Sequence, residues 1–220
     1  MQIINLSEQP SLITQYLGEI RSTTIQKDSL RFRRNIERIG EIMAMEISKK
    51  LNYKEEHIET PLAVAPTQVL DTPIVLGTIL RAGLPLHQGF LNMFDHAENA
   101  FLSAYRRAVV GRNGKETLEI VSEYLAAPQL DGKTLILVDP MLATGMSMEV
   151  AYKALLSHGT PQNVHVACII GTKQAIDYLQ RNMPENITLW CAAIDPELND
   201  KKYIVPGLGD AGDLCFGTKL

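Results

Sequence analysis

The segment Thr134 to Ser147, TLILVDPMLATGMS, admits few architectures. Thr134 to Val138 is an unalternating run of branched residues, bounded by Asp131-Gly132 before and Asp139-Pro140 after. That pattern predicts a strand covered on both faces in a parallel sheet. Ala143, Thr144, Gly145 and Ser147 are small or hydroxylated and lead into Met148 to His158, where Val150, Ala154 and Leu155 keep helical spacing. A strand, a small-residue turn and a helix in that order aim successive backbone N–H groups and the positive end of the helix at one anion. Asp139 falls at the carboxyl end of the strand, where open α/β sheets bind ligands. A carboxylate beside a phosphate-sized nest suits a phosphorylated sugar. Taken alone, the same letters also describe a turn followed by a helix cap.

Two further segments narrow the choice. Pro73 to Arg81, PIVLGTILR, is a second buried strand, and it delivers Arg81 to the edge that carries Asp139. A guanidinium there can bridge two phosphate oxygens, although an arginine at a strand end also snorkels without a ligand. Tyr203 to Thr218, YIVPGLGDAGDLCFGT, places Gly207, Gly209, Gly212 and Gly217 close together. Such glycine density lets main chain approach a flat ring and read its edge with backbone N–H and C=O groups. The competing reading is a loose tail. Ile204, Val205, Pro206, Leu208, Leu214 and Phe216 argue against it, since solvated tails carry few apolar residues.

Together, DPM-LATG-S, ILRAG, FLSAYR with ETLE (Phe101 to Arg106 and Glu116 to Glu119) and the glycine-rich segment resemble the uracil-using branch of the type I phosphoribosyltransferase family. The resemblance is strong over 77–147 and 194–218 and weak before residue 60. It implies transfer of a 5-phosphoribosyl group from phosphoribosyl pyrophosphate (PRPP) to uracil, with Mg²⁺ carried mainly by PRPP. It implies that Pro140, Met141, Leu142, Ala143, Thr144, Gly145, Met146 and Ser147 hold PRPP, with Asp139 on the ribose hydroxyls. Arg81 and Arg106 are assigned to pyrophosphate, and Asp210 to the ribose and metal side. Ile204, Gly209, Asp210 and Ala211 are assigned to the base, and Asp139, Arg106 and Asp210 to catalysis. A strained or cis peptide at or beside Arg81-Ala82 is also implied. So is a homodimer or higher homo-oligomer through the amino-terminal helices.

The chain departs from the family in places. Arg106 to Lys115, RRAVVGRNGK, is longer than the short acidic turn of bacterial relatives. Gly111 to Lys115 suits either a lid over the substrate phosphates or a plain surface hairpin. Met146 stands where relatives have a second glycine, and Ile120 where they have proline. Two rival functions stay open: a sister enzyme for another base, and a pyrimidine-responsive, RNA-binding regulator on the same fold.

Elsewhere the pattern is α/β with a mainly parallel sheet. Strands are expected at 73–80, 100–105, 134–139, 163–170 and 187–194, and helices at 85–96, 147–158 and 172–181. Asp28 to Leu51 reads as a long amphipathic helix, and Ile58 to Leu70, with Pro61 and Pro66, as an arm outside the main sheet. One domain over 1–220 is expected: amino-terminal helices and arm (1–72), α/β core (73–194) and uracil-binding hood (195–220). The net charge of −4 gives no case for nucleic acid. Arg31, Arg33, Arg34 and Arg38 read as a solvated or intersubunit face. Cys168, Cys191 and Cys215 have no metal-ligand spacing and fit reduced thiols. No signal peptide or membrane span is expected, so the compartment is read as cytoplasmic.

Overall fold

The computed structural model describes residues 1–103 and 124–219 in full and, between them, the backbone of 105–110 and 116–121. The chain opens with strand β1 (Gln2–Asn5), helix α1 (Leu12–Arg21) and the long helix α2 (Ser29–Ser48). Asp28 caps α2 by accepting from the Arg31 N–H. Phe32, Ile36, Ile39, Met43 and Ile47 form its buried stripe at helical spacing. Strands β2 (Tyr53–Glu59) and β3 (Val64–Leu70) then pair, among the described residues, only with each other, so the expected arm is present and begins earlier than Ile58. The alternating core follows: β4 (Ile74–Leu80), α3 (Leu84–Met93), β5 (Glu98–Ser103), β6 (Tyr105–Val110), β7 (Glu116–Val121), β8 (Leu125–Ala126) and β9 (Thr134–Val138). It continues through β10 (Met141–Leu142), α4 (Met146–Leu155), β11 (Asn163–Thr172), α5 (Lys173–Asn182) and β12 (Thr188–Asp195). The chain closes with β13 (Glu197–Leu198), β14 (Ile204–Val205) and α6 (Ala211–Phe216).

The main sheet has the order β1-β12-β11-β9-β4-β5-β8, parallel except for the β5–β8 pair. The α/β class with a mainly parallel sheet is therefore correct. Every residue of β9, and all of β4 but its last, is buried, as strands covered on two faces must be. One apolar layer packs Ile136, Val138, Ala167, Ile169 and Trp190 against α1, α2 and α3. The other packs Leu135, Leu137, Val166 and Leu189 against α4 and α5. Cys168 and Cys191 are neighbours across β11 and β12 and belong to this second layer, as free thiols.

Strand β1 has no counterpart among the expectations. It adds a parallel edge from Gln2 opposite Thr188 to Asn5 opposite Cys191. The expected strand at 100–105 ends at Ser103. Tyr105 begins a separate hairpin with β7, from Tyr105 opposite Val121 to Val110 opposite Glu116. The loop 111–115 lies outside the described residues.

The arginines of α2 are only partly a solvated face. Arg31 makes two 3.0 Å bonds to Glu19 of α1, and Arg33 donates to the Cys215 carbonyl of α6 at 2.6 Å. Arg38 lies over the Tyr16 ring, 5.4 Å from its centroid, while Arg34 pairs with Glu37 on its own helix.

A second arginine contact fixes the carboxyl-terminal region. Arg21, at the end of α1, grips both carboxylate oxygens of Asp195 at 2.8 and 2.7 Å and the Gly207 carbonyl at 3.0 Å. The Gly207 N–H donates to the same carboxylate at 2.9 Å. Asp195 is only 5% exposed, so its charge depends on this guanidinium. Arg21→Met is expected to cost about 3–5 kcal/mol by leaving a buried carboxylate unpaired, a fall in Tm on the order of 10 °C. A thermal melt within a degree or two of wild type would show that the pair carries no such weight.

Candidate active site

The parallel register brings several strand ends to one edge. Thr78 of β4 lies opposite Val138 of β9, Val138 opposite Ala167 of β11, and Thr172 of β11 opposite Asp195 of β12. Arg81 and Asp139 therefore leave adjacent strands at the same end. The Leu80–Arg81 peptide is cis, one bond before the Arg81-Ala82 position singled out in the sequence.

From β9 the chain folds over β11. The Asp139 N–H donates to the Ala167 carbonyl, the Pro140 carbonyl accepts from Ile169 and Ile170, and β10 pairs alongside Ile170 and Gly171. Thr172 adds a hydroxyl bond to the Ala143 carbonyl at 2.8 Å. Gly145 then starts α4 with φ of 81°, and among the described residues no side chain caps the helix. A side chain there would be strained by that φ and would crowd Ala175, Tyr178 and Leu179. The first N–H groups of α4 thus have no side-chain acceptor among the described residues, the arrangement an anion nest requires. Met146 takes ordinary negative φ, and its side chain is 38% exposed.

Asp139 is half-buried, and among the described residues its carboxylate accepts only from the Met141 N–H, at 3.3 Å. Burial pushes its pKa up to about 7, partly opposed by that one bond. A buried carboxyl so poorly supplied with donors is ready to accept ligand hydroxyls.

Opposite stands the hood. The Val205–Pro206 peptide is cis, and Gly207 has φ of 57° with its Cα close enough to Ile204 that a Cβ would sit 2.1 Å from that carbonyl. Asp210 caps α6 by accepting from the Asp213 N–H at 3.0 Å and also accepts from Lys219 at 3.2 Å. Burial raises its pKa, but the Asp213 and Lys219 bonds outweigh that and hold the carboxyl below its ordinary range. Arg81 pairs with Asp213 at 2.9 Å and donates to the Gly217 carbonyl at 3.1 Å, linking the β4 end to the hood.

Between loop and hood lies a cavity of about 760 Å³. Asp139, Met141, Ala143 and Ser147 line one side, and Ile204, Gly209, Asp210 and Ala211 the other. Pro140, Leu142, Thr144, Gly145 and Met146 belong to the loop but do not line the cavity. Arg81 borders it through its neighbour Ala82 and its contacts with α6. The side chain of Arg106 lies outside the described residues. Sequence reasoning missed Lys201, Lys202, Tyr203 and Lys219, which also line the cavity. Their signal is the basic pair directly before the glycine-rich segment. Asn199 builds the turn that presents them, its side chain accepting from the Lys201 and Tyr203 N–H groups at 3.0 Å each, with Lys202 at φ of 64°.

Among the described residues, no group of three or more His, Cys, Asp or Glu side chains could hold a metal. Two carboxylates facing one cavity still suit an Mg²⁺ that arrives with its own phosphate oxygens. No described helix is long and apolar enough to cross a membrane.

Comparison with known proteins agrees with this geometry. A family model described as uracil phosphoribosyltransferase matches residues 7–218. The chain is 54% identical over 220 residues to a uracil phosphoribosyltransferase of Porphyromonas gingivalis, covering all of both chains. It is 38% identical over 208 residues to that of Methanothermobacter thermautotrophicus, covering 94% of this chain and 92% of the relative. A solved protein from Aquifex aeolicus superposes with a TM-score of 0.84 at 27% identity over the full length of both chains. With two motif-bearing segments closing on one cavity and a family match across nearly the whole sequence, the chain belongs to the uracil phosphoribosyltransferase family.

Proposed function

We propose that this protein transfers the 5-phosphoribosyl group of PRPP to N1 of uracil, releasing pyrophosphate and forming uridine monophosphate. The carrying observation is the single cavity in which the Asp139–Ser147 loop faces the Ile204–Gly212 hood. The ribose C1–oxygen bond to pyrophosphate breaks, the C1–N1 bond forms, and the N1 proton of uracil leaves with the departing pyrophosphate. Positive charge develops on the sugar as the leaving group departs, so alignment and leaving-group stabilisation dominate.

In this reading the free N–H groups at the start of α4, with Thr144 and Ser147, hold the 5-phosphate. Asp139 accepts from the ribose hydroxyls. Arg81 and Arg106 meet the pyrophosphate, with Lys201, Lys202 and Lys219 as further cations at the mouth. Asp210 faces the ribose, and main-chain groups of Ile204, Gly209 and Ala211 read the base. Mg²⁺ bound with PRPP, toward Asp139 and Asp210, would neutralise phosphate charge. The chain works as one unit of helices and arm (1–72), core (73–194) and hood (195–220). A cytoplasmic setting is supported by three free, buried thiols.

A homo-oligomer is supported by the β2–β3 arm. An isolated two-stranded hairpin is marginal in water. This one exposes Ile58 and Val64, with Leu62 at its tip 97% exposed. A second copy of the chain is the natural cover for so much apolar surface on an arm.

Turnover with PRPP and Mg²⁺ is expected to favour uracil over cytosine, hypoxanthine and orotate by at least about tenfold in kcat/KM, since each mispaired buried group costs about 1–3 kcal/mol. Equal turnover of hypoxanthine or orotate would sink the assignment. RNA retained on a filter at physiological salt would favour a regulatory role instead.

Asp139 yields a pH test. Its folded pKa lies above its unfolded value of 3.8, so folding loses stability as pH rises from about 4 through 7, and the cost is complete above that. Asp139→Asn removes the titration. The variant should gain on the order of 2 kcal/mol relative to wild type between pH 5 and pH 8, while kcat/KM collapses. A melting difference that does not widen with pH would refute the buried-carboxylate reading.

Leu62→Ser with Ile58→Ser should shift sedimentation toward the monomer while leaving far-ultraviolet dichroism unchanged. An unaltered sedimentation profile would remove the arm from the interface.

A further inference from the structure

The opposite end of the sheet carries a second cavity, of about 400 Å³, at the amino ends of β9, β11 and β12 and beside the carboxyl end of α2. It shares no residue with the cavity described above. Two of its walls are unusual for a sheet interior. His165 is 6% exposed and Thr134 is 2% exposed, yet both are polar. Buried polar groups are ordinarily satisfied within the protein.

Among the described residues the His165 ring has one hydrogen-bond partner. Trp190 donates its indole N–H to Nδ1 at 3.1 Å. Burial pushes the imidazole pKa down to about 4, so at neutral pH the ring is uncharged and its one hydrogen sits on Nε2. That hydrogen has no acceptor among the described residues, and neither does the Thr134 hydroxyl. Among the described residues no buried side-chain polar atom is sealed without a partner, so both groups, which line the cavity, reach it and not a dry void. Lys50, just past α2, adds an exposed ammonium without an ion pair among the described residues. Among the described residues no carboxylate lines the cavity.

The groups offered are thus a buried N–H donor, a buried hydroxyl and an exposed cation, which together ask for an oxygen-rich anion. Around them Asn163, Gln162 and Thr188 offer neutral amide and hydroxyl groups suited to alcohols. The volume is within the range of small-metabolite sites. We infer that this cavity is a second ligand site, taking a small hydroxylated organic phosphate of the sugar-phosphate class, with its anionic oxygens on His165 Nε2, Thr134 and Lys50.

The test follows the imidazole nitrogen resonances of His165 in the full-length protein. These nitrogens sit at the amino end of the sheet, and variants of Lys50 and Thr134 separate a ligand held there from one held at the other end. Ribose 5-phosphate is titrated beside ribose and inorganic phosphate. Saturable movement of the Nε2 signal is expected with ribose 5-phosphate at a Kd on the order of 1 mM or tighter. Ribose or phosphate alone should bind at least about fivefold more weakly, since each supplies only part of the contact set. Lys50→Ala and the isosteric Thr134→Val should each weaken ribose 5-phosphate by about fivefold or more. Lys50 is exposed, so its variant retains the fold and keeps the test valid if Thr134→Val proves unstable. An Nε2 signal unmoved at tens of millimolar would overturn the proposal. So would movement by ribose equal to that by ribose 5-phosphate, or a Kd indifferent to Lys50→Ala.

Discussion

A parallel sheet buried on both faces confines polar chemistry to its two ends, and this constraint organises the molecule. Strands β4, β9, β11 and β12 spend their side chains on two apolar layers. Their backbone groups are consumed by the ladder, so neither face offers a donor or acceptor to a ligand. What remains are the residues where strands stop. At the carboxyl end these are Arg81, Asp139, Thr172 and Asp195, aligned by register. At the amino end they are Thr134, His165 and Thr188. Because one register aligns both ends, a slip that displaced Asp139 would also scatter the polar groups at the other end.

The carboxyl end is further divided between strong and weak electrostatics. Arg21 and Asp195 are bidentate and shielded, and their shared contact with Gly207 sets where the hood begins. That contact is structural, and breaking it would leave a buried carboxylate without its counter-charge, held by the Gly207 N–H. The Arg81–Asp213 and Lys219–Asp210 pairs are more open to water, and pairs of that kind contribute about 0–1 kcal/mol. Exchanging Asp213 for a phosphate oxygen therefore costs Arg81 little. The site combines a fixed frame with cations that are cheap to redirect, which suits a reaction whose negative charge shifts as pyrophosphate leaves.

How much of this was legible in the sequence depended on whether the determining residues were close together in the chain. The β9 strand, its loop and the glycine-rich hood are continuous segments, and each carried its own pattern. The Arg21–Asp195–Gly207 contact was not legible, since its members are scattered and each looks ordinary alone. Strand β1 was missed because QIIN is too short for a periodicity and gains its structure only from β12. The arm was placed late because Tyr53 to His57 is charged and exposed, without the apolar alternation that marks a half-buried strand. The second cavity was invisible for a related reason: Lys50, Thr134 and His165 converge only when α2 is laid against the sheet.

The departure at Met146 shows how position decides what a motif tolerates. Gly145 is constrained twice, by left-handed φ and by contact with Ala175, Tyr178 and Leu179. Met146 is constrained by neither. It begins α4 at ordinary φ, its side chain points toward solvent, and its N–H remains one of the uncapped donors at the helix start. An anion held in the nest as proposed would meet that N–H, with the side chain behind it energetically almost silent. A glycine at this position would add backbone freedom that the folded loop does not use, at a cost of about 0.5–1 kcal/mol of unfolded-state entropy. Methionine there is compatible with an intact phosphate loop, so the substitution does not argue for a weakened enzyme.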